Sequence, residues 1–186
     1  MLKRLIITLT LVFSLAACDL DQIDKYTSAV REDTSTSPVD VREYVNGLPY
    51  AFTVAEPALE AFRAVAADRG WASEDIESWV PFITDVMAKE SGFCWNVRGG
   101  AKMANVGCEI RKQGRGSDSG FGQLISLHYN PGRWLCEQEG LCSSAEIIDN
   151  PYDSMTALVA LVERSGGQPW CYNAKARRYH KCSLVP

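Results

Sequence analysis

Seven cysteines stand in this chain, and their placement constrains the fold more than any other feature. Cys18 lies alone near the start, whereas Cys94, Cys108, Cys136, Cys142, Cys171 and Cys182 form an even set further on. The chain opens with Lys3 and Arg4, followed by an apolar run from Leu5 to Leu15 that is too short to span a bilayer comfortably. That is the pattern of an export signal. In an oxidising compartment an even set of cysteines argues for disulfides rather than free thiols. Six cysteines allow fifteen pairings. The neighbour pairing Cys94–Cys108, Cys136–Cys142 and Cys171–Cys182 is expected, because each pair brackets a short, turn-rich loop. A metal site would compete for these residues, but there is no CxxC and the histidines are only His128 and His180. No metal or other cofactor is expected.

Leu15-Ala16-Ala17-Cys18 resembles the lipobox of bacterial lipoproteins. The resemblance implies a signal peptide over residues 1–17, cleavage before Cys18, and acylation of Cys18 as the new N-terminus. Several acyl chains on one residue tether a protein stably, where a single chain anchors only marginally. The expected location is the bacterial cell envelope, lipid-anchored and facing the periplasm. Asp19 favours the inner membrane, since enteric lipoproteins with Asp after the acylated cysteine tend to stay there. An ordinary secretory signal with an incidental cysteine is the alternative.

Residues 18–45 contain Thr34-Ser35-Thr36-Ser37-Pro38, several charges and little apolar periodicity, which reads as a flexible tether. Residues 46–186 are enough for one domain with its own core, expected to be monomeric. The formal charge is −4, and the basic residues form no sustained stripe, so nucleic-acid binding has no electrostatic support. Arg98, Lys102, Arg111, Lys112 and Arg115 read as a solvated surface, with contact to an anionic wall polymer or lipid headgroups as the other possibility.

Apolar residues recur at helical spacing over Glu56–Asp68, with Gly70 as a stop. Ser73 is placed to cap a second helix, and Pro81 predicts a kink or a fresh helix start. Residues 97–118 are rich in glycine and basic residues, with a β-favouring run from Val106 to Ile110. They predict a small hairpin or a long irregular loop. Ser117 to Ile125 reads as a cap followed by a helix to about His128, and Pro131 to Cys136 as the start of another short helix. Asn150-Pro151 opens an amphipathic helix with Met155, Leu158, Val159 and Val162 on one face, ended by Gly166-Gly167. Strands are scarce, so a mainly α domain is expected.

Within Pro81–Gly92, residues Ile83, Val86, Met87 and Glu90 share one helix face. Glu90 is thereby carried to the margin of apolar packing, in the last turn, where the helix dipole disfavours a negative charge. Desolvation and dipole both push a carboxyl pKa upward, as a general acid working near neutral pH requires. A Glu90 that simply tips into solvent is the competing reading.

Three pieces stand in order: Glu90-Ser91-Gly92-Phe93, then Ser119-Gly120-Phe121-Gly122-Gln123-Leu124, then Asn150-Pro151-Tyr152-Asp153 before a helix. The arrangement resembles the lysozyme-like soluble lytic transglycosylases and their goose-type lysozyme relatives. In that family a helix ends in E-S-G, a G-x-x-Q turn and a D/N-P-x-x-N/S helix start follow, and an A-Y-N-A-G segment often comes last. Tyr172-Asn173-Ala174 matches that segment in part, with Lys175 in place of its glycine and Cys171 before it. The resemblance spans roughly residues 76 to 175, and the basic insert and extra cysteines depart from the family pattern.

The resemblance implies a lysozyme-like catalytic domain acting on peptidoglycan glycan strands. Glu90 would be the single acid/base of a lytic transglycosylase, protonating the glycosidic oxygen between N-acetylmuramic acid and N-acetylglucosamine. It would then deprotonate the muramoyl 6-hydroxyl to close a 1,6-anhydro ring. Gln123 would hydrogen-bond sugar groups, Ser91 and Ser119 would assist near Glu90, and Tyr152 and Tyr172 would stack on sugar rings, with Trp170 a further stacking candidate and Asn173 beside them. A hydrolytic muramidase would need a second carboxylate, for which Asp118 and Glu109 are nearest in sequence, though Asp118 also reads as a helix cap and Glu109 as solvated loop. A non-catalytic envelope lipoprotein that binds peptidoglycan or inhibits a lysozyme is the alternative from another class. A Ser-His-Asp hydrolase is a poor alternative, because there is no G-x-S-x-G element and neither histidine sits in an informative context.

Overall fold

A buried fifteen-residue helix is the hub of the folded unit. The computed structural model describes residues 39–103 and 107–186. The expected signal peptide, the acylation of Cys18, Asp19 and the tether up to residue 38 lie outside the described residues. Numbered along the chain, the helices are α1 (Val41–Asn46), α2 (Glu56–Asp68), α3 (Ser73–Glu90), α4 (Ser126–Tyr129), α5 (Trp134–Glu139), α6 (Ser144–Ile147), α7 (Pro151–Ser165), α8 (Gln168–Cys171) and α9 (Ala174–Tyr179), with a closing 3-10 turn at Cys182–Leu184. The domain is mainly α, as expected.

The central helix is α7. Asn150 caps it by accepting the Asp153 N–H at 3.0 Å, and Pro151 fills a first-turn position where no N–H is needed. Every residue from Ser154 to Val162 is buried, so α7 is enclosed all round rather than amphipathic as its spacing suggested. It packs against α1, α2, α5 and α6. An aromatic row, Phe62–Trp71–Trp79–Phe82–Trp170, is built of T-shaped and tilted ring pairs with centroids 6.0–6.4 Å apart. Arg69 pins α2 to α5 and α7 through Glu139 at 2.9 Å and Glu163 at 2.7 Å, and the Trp71 indole donates to Glu163 at 2.8 Å.

Four expectations change. The folded unit begins at Val39 rather than 46: α1 forms within the expected tether, capped by Asp40, and buries Val45 completely. Pro81 does not start a fresh helix, because α3 runs unbroken across it. Pro81 is exposed, so the Glu77 carbonyl it leaves unbonded can turn to water. Ser73 is the first residue of α3, not its cap, which is Ala72. Finally, Phe121–Leu124 is a tight turn closed by paired backbone bonds between Ser119 and Leu124 at 2.9 and 2.8 Å. Helix begins only at Ser126. Gly120 and Gln123 hold left-handed backbone (φ +76° and +50°), which no right-handed helix accommodates.

The insert after α3 carries a two-stranded antiparallel hairpin, β1 (Lys102–Met103) and β2 (Ile110–Lys112), with Lys102 opposite Lys112 and a bulge beside it. All three disulfides follow the neighbour pairing, Cys94–Cys108, Cys136–Cys142 and Cys171–Cys182.

Candidate functional site

Glu90 is the last residue of α3. The chain then leaves the helix through Gly92 (φ +61°) and Phe93 (φ +68°), which drives Phe93 into the core. The turn at 119–124 is pressed onto α7. A β-carbon at Gly120 would come within 2.5 Å of Ser154 Oγ, and one at Gly122 within 2.8 Å of Leu158 Cδ1. Ser154 ties the pieces together, accepting the Phe121 N–H at 3.0 Å and donating to the Trp95 carbonyl at 3.2 Å. The Trp170 indole donates to the Gly122 carbonyl at 3.2 Å.

Between these pieces lies a cleft of about 550 Å³ with Glu90, Asp118, Gln123, Ile125, Trp170 and Tyr172 among its walls. A second recess of about 250 Å³ is lined by Asn173, Lys175, Tyr179 and His180 and shares Glu90, Pro169, Trp170 and Tyr172 with the first. Glu90 therefore stands where the two meet.

The Glu90 side chain keeps 23% of its exposure. Burial raises its pKa and the charge of Asp118 adds to that, while the charge and hydrogen bond of His180, and Lys89, act the other way. Burial prevails and the carboxyl titrates above its ordinary range. Oε1 lies 2.8 Å from His180 Nε2. Behind the imidazole, Nδ1 faces Asp85 Oδ2 at 3.4 Å. Burial alone would raise the Asp85 pKa, but donors from Lys89 and the Lys181 N–H, with the charges of Lys89 and His180, hold it below the ordinary carboxylate range.

The expected site residues divide. Glu90, Gln123 and Tyr172 meet in the cleft, and Asn173 lines the recess. The Gln123 amide nitrogen is spent on the Val97 and Gly120 carbonyls at 2.9 and 3.0 Å, so its Oε1 is the group left for a ligand. Asn173 caps α9 through the N–H groups of Lys175 and Ala176. Tyr172 is 70% exposed, a ring face open to solvent beside Glu90. Trp170 is buried and walls the cleft.

Ser91, Ser119 and Tyr152 stand elsewhere. Ser91 is buried and donates to the Met87 carbonyl at 3.2 Å. Ser119 is fully buried inside its turn. Tyr152 lies beside α1, its ring under the Arg42 guanidinium at 4.5 Å and its N–H on Asn46. Asp118 is no helix cap: it faces the cleft, its carbonyl accepts the Gly99 N–H at 2.9 Å, and its Oδ2 lies 2.8 Å from where a β-carbon on Gly99 would stand.

Sequence reasoning passed over His180, Asp85 and Ser154. The i, i+4 spacing of Asp85 and Lys89 was a readable signal, as was the closed loop that pairing Cys171 with Cys182 makes of the segment holding His180. Among the described residues no cluster of three or more His, Cys, Asp or Glu side chains could hold a metal ion, and no helix is long and apolar enough to cross a membrane. No family model, curated protein or solved structure matches this chain.

Proposed function

We propose that this protein is a lytic transglycosylase with a lysozyme-like domain, cleaving peptidoglycan between N-acetylmuramic acid and N-acetylglucosamine. The observation that carries this reading is Glu90: a half-buried carboxyl at a helix end, with a raised pKa, at the junction of two recesses. A carboxyl still protonated above its usual range is suited to donate a proton to a leaving oxygen. Tyr172 offers a ring face for a sugar, and Gln123 Oε1 an acceptor for a hydroxyl or amide N–H.

In this mechanism the Glu90 proton passes to the glycosidic oxygen as the C1–O bond breaks. The acetamido oxygen of the muramoyl sugar shields the positive charge growing at C1. The Glu90 carboxylate then takes the proton of the 6-hydroxyl as that oxygen bonds to C1, which closes the 1,6-anhydro ring and restores the acid. No water is consumed and no second carboxylate is used.

One observation favours a hydrolytic muramidase as the second reading. Asp118 shares the cleft with Glu90 and is near enough for its charge to raise the Glu90 pKa, so a second carboxylate is at hand. Mass spectrometry of muropeptides released from sacculi separates the two: anhydro-muramoyl ends support transglycosylation, reducing ends hydrolysis. Absence of any release by the folded wild-type protein would overturn both and leave a glycan-binding module. Acylated Cys18 would confine the activity to the periplasmic face of a membrane. Globomycin-sensitive processing and radiolabelled palmitate incorporation lost on Cys18→Ser test that anchor.

A further inference from the structure

His180 is the most deeply buried charged or chargeable side chain at the cleft, 3% exposed, and the mechanism above does not use it. Its two ring nitrogens each face a carboxylate, Nδ1 towards Asp85 Oδ2 at 3.4 Å and Nε2 towards Glu90 Oε1 at 2.8 Å. Asp85 is braced as an anion by Lys89 Nζ, 2.7 Å from Oδ1 and 3.0 Å from Oδ2, and by the Lys181 N–H at 3.0 Å from Oδ2. Nδ1 makes no hydrogen bond in this pose; beside that anion a proton on Nδ1 is favoured over a lone pair, which the anion would repel. Nε2 and Oε1 likewise cannot meet lone pair to lone pair at 2.8 Å, and a proton lies between them.

The surroundings fix this pose. The Tyr179 hydroxyl donates to the Lys89 carbonyl at 3.0 Å, Lys89 Nζ donates to the Tyr179 carbonyl, and the Cys171–Cys182 bond closes the segment two residues beyond His180. Glu90 Oε2, in contrast, has no hydrogen-bond partner among the described residues, although its side chain opens on the cleft.

We infer that His180 is a positioning residue for Glu90: anchored by Asp85, it holds Oε1 through Nε2 and leaves Oε2 as the oxygen that exchanges protons with the substrate. The inference rests on the glycan-cleaving reading. Through the cycle the Nδ1 proton stays facing Asp85 and the Nε2 proton stays on Nε2, donated to Oε1. Oε2 gives its proton to the leaving oxygen, the Nε2–H hydrogen bond to Oε1 steadies the carboxylate that appears, and Oε2 recovers a proton from the 6-hydroxyl. Proton count is unchanged over the cycle. The charged and titratable groups around the pair are Asp85 and Lys89 on α3, Tyr179 on α9 and Asp118 across the cleft.

The test is a carbon-13 NMR titration of the Glu90 carboxyl without substrate, in the wild-type protein and in His180→Phe, which fills the space without a donor. The Glu90 midpoint is expected to move up in the variant, because a donor and a positive charge are lost. On muropeptide release, kcat should fall about 10²-fold with KM nearly unchanged, as for loss of alignment at a reacting group. His180→Gln, which restores an N–H towards Oε1, should recover part of that loss. A midpoint that stays or falls would overturn the inference. Should His180→Phe not fold, nitrogen-15 spectra of wild-type His180 decide: protons on both ring nitrogens support it, and a ring protonated at one nitrogen alone sinks it. These spectra read the pair even if the wild-type protein releases no muropeptide, an outcome that would fell the functional reading alone.

Discussion

Gly92 lies so close to Phe52 that a β-carbon on it would stand 2.2 Å from Cε2 of the ring. Two residues after Glu90, the chain thus turns on a left-handed glycine (φ +61°) with an aromatic ring as its backstop, and the Gly92 carbonyl accepts the Thr53 N–H at 3.0 Å. This turn sets where α3 stops and where its last carboxyl points. Gly92→Ala adds a strained backbone to a displaced ring. A loss of about 2 kcal/mol is expected, seen as a fall in Tm of roughly 4–8 °C, with activity falling further than stability.

Glu90→Gln keeps the shape of the side chain and removes the acid. Turnover should vanish while circular dichroism and Tm stay near those of the wild type. The pH dependence has a definite sign. The folded-state pKa of Glu90 is raised, so the folded protein holds this proton more tightly than the unfolded chain. Its contribution to stability is present at low pH and is lost as pH rises from the unfolded carboxylate value through the raised one. Stability curves of the wild type and Glu90→Gln should diverge in that window, with the glutamine variant gaining relative to the wild type. The wild-type kcat/KM profile should likewise descend at a pH above the ordinary carboxylate range.

Asp118→Asn separates the two chemistries. A mechanism with one carboxyl retains activity within about tenfold, whereas a two-carboxylate hydrolysis loses a factor on the order of 10² or more. The same variant removes a charge that raises the Glu90 pKa, so the alkaline descent of any remaining activity should move to lower pH. A descent that stays in place would show that Asp118 is electrostatically remote from Glu90.

Cys171 and Cys182 are separated by 11 residues, and the loop they close carries Tyr172, Asn173, Tyr179 and His180. Replacing both by serine should cost about 3 kcal/mol by loop entropy and should also remove most activity, since the walls of the recess are released. The Cys136–Cys142 pair closes a shorter loop that contributes no residue to either recess. Its double serine variant should lower Tm and leave kcat within about twofold once folded. Comparing the two at a temperature where both are folded checks this.

Arg69 binds Glu139 and Glu163 from two helices, and Trp71 shares Glu163. Arg69→Ala leaves two carboxylates partly buried without a cation, at an expected cost of about 1–3 kcal/mol. Burial by itself would raise the Glu163 pKa, but hydrogen bonds from Arg69 and Trp71 and the Arg69 charge bring it below its ordinary value. That stabilisation is present above the unfolded carboxylate pKa and is lost as pH falls through the depressed one. Acid unfolding of the wild type should therefore include this loss, and the variant's curve should be flatter there.

The sequence by itself determined the features that depend on neighbours along the chain. The helix carrying Glu90 in its last turn, the cap and proline at Asn150-Pro151, the three neighbour disulfides and a small hairpin in the insert all follow from spacing, capping chemistry and loop length. These interactions span a few residues, so local composition encodes them. Where locality misled, packing was the reason: an exposed Pro81 let α3 run on, and the pressure of α7 on Gly120 and Gly122 turned an expected helix into a tight turn. The tertiary structure alone decided what surrounds Glu90. His180 lies ninety residues further on in a tail without periodicity, and only docking of that tail on α3 sets its ring between Asp85 and Glu90. The place of Asp118 in the cleft and the seat of Tyr152 beside α1 were likewise decided across the fold, because burial and charge pairing are settled between elements that no sequence window contains.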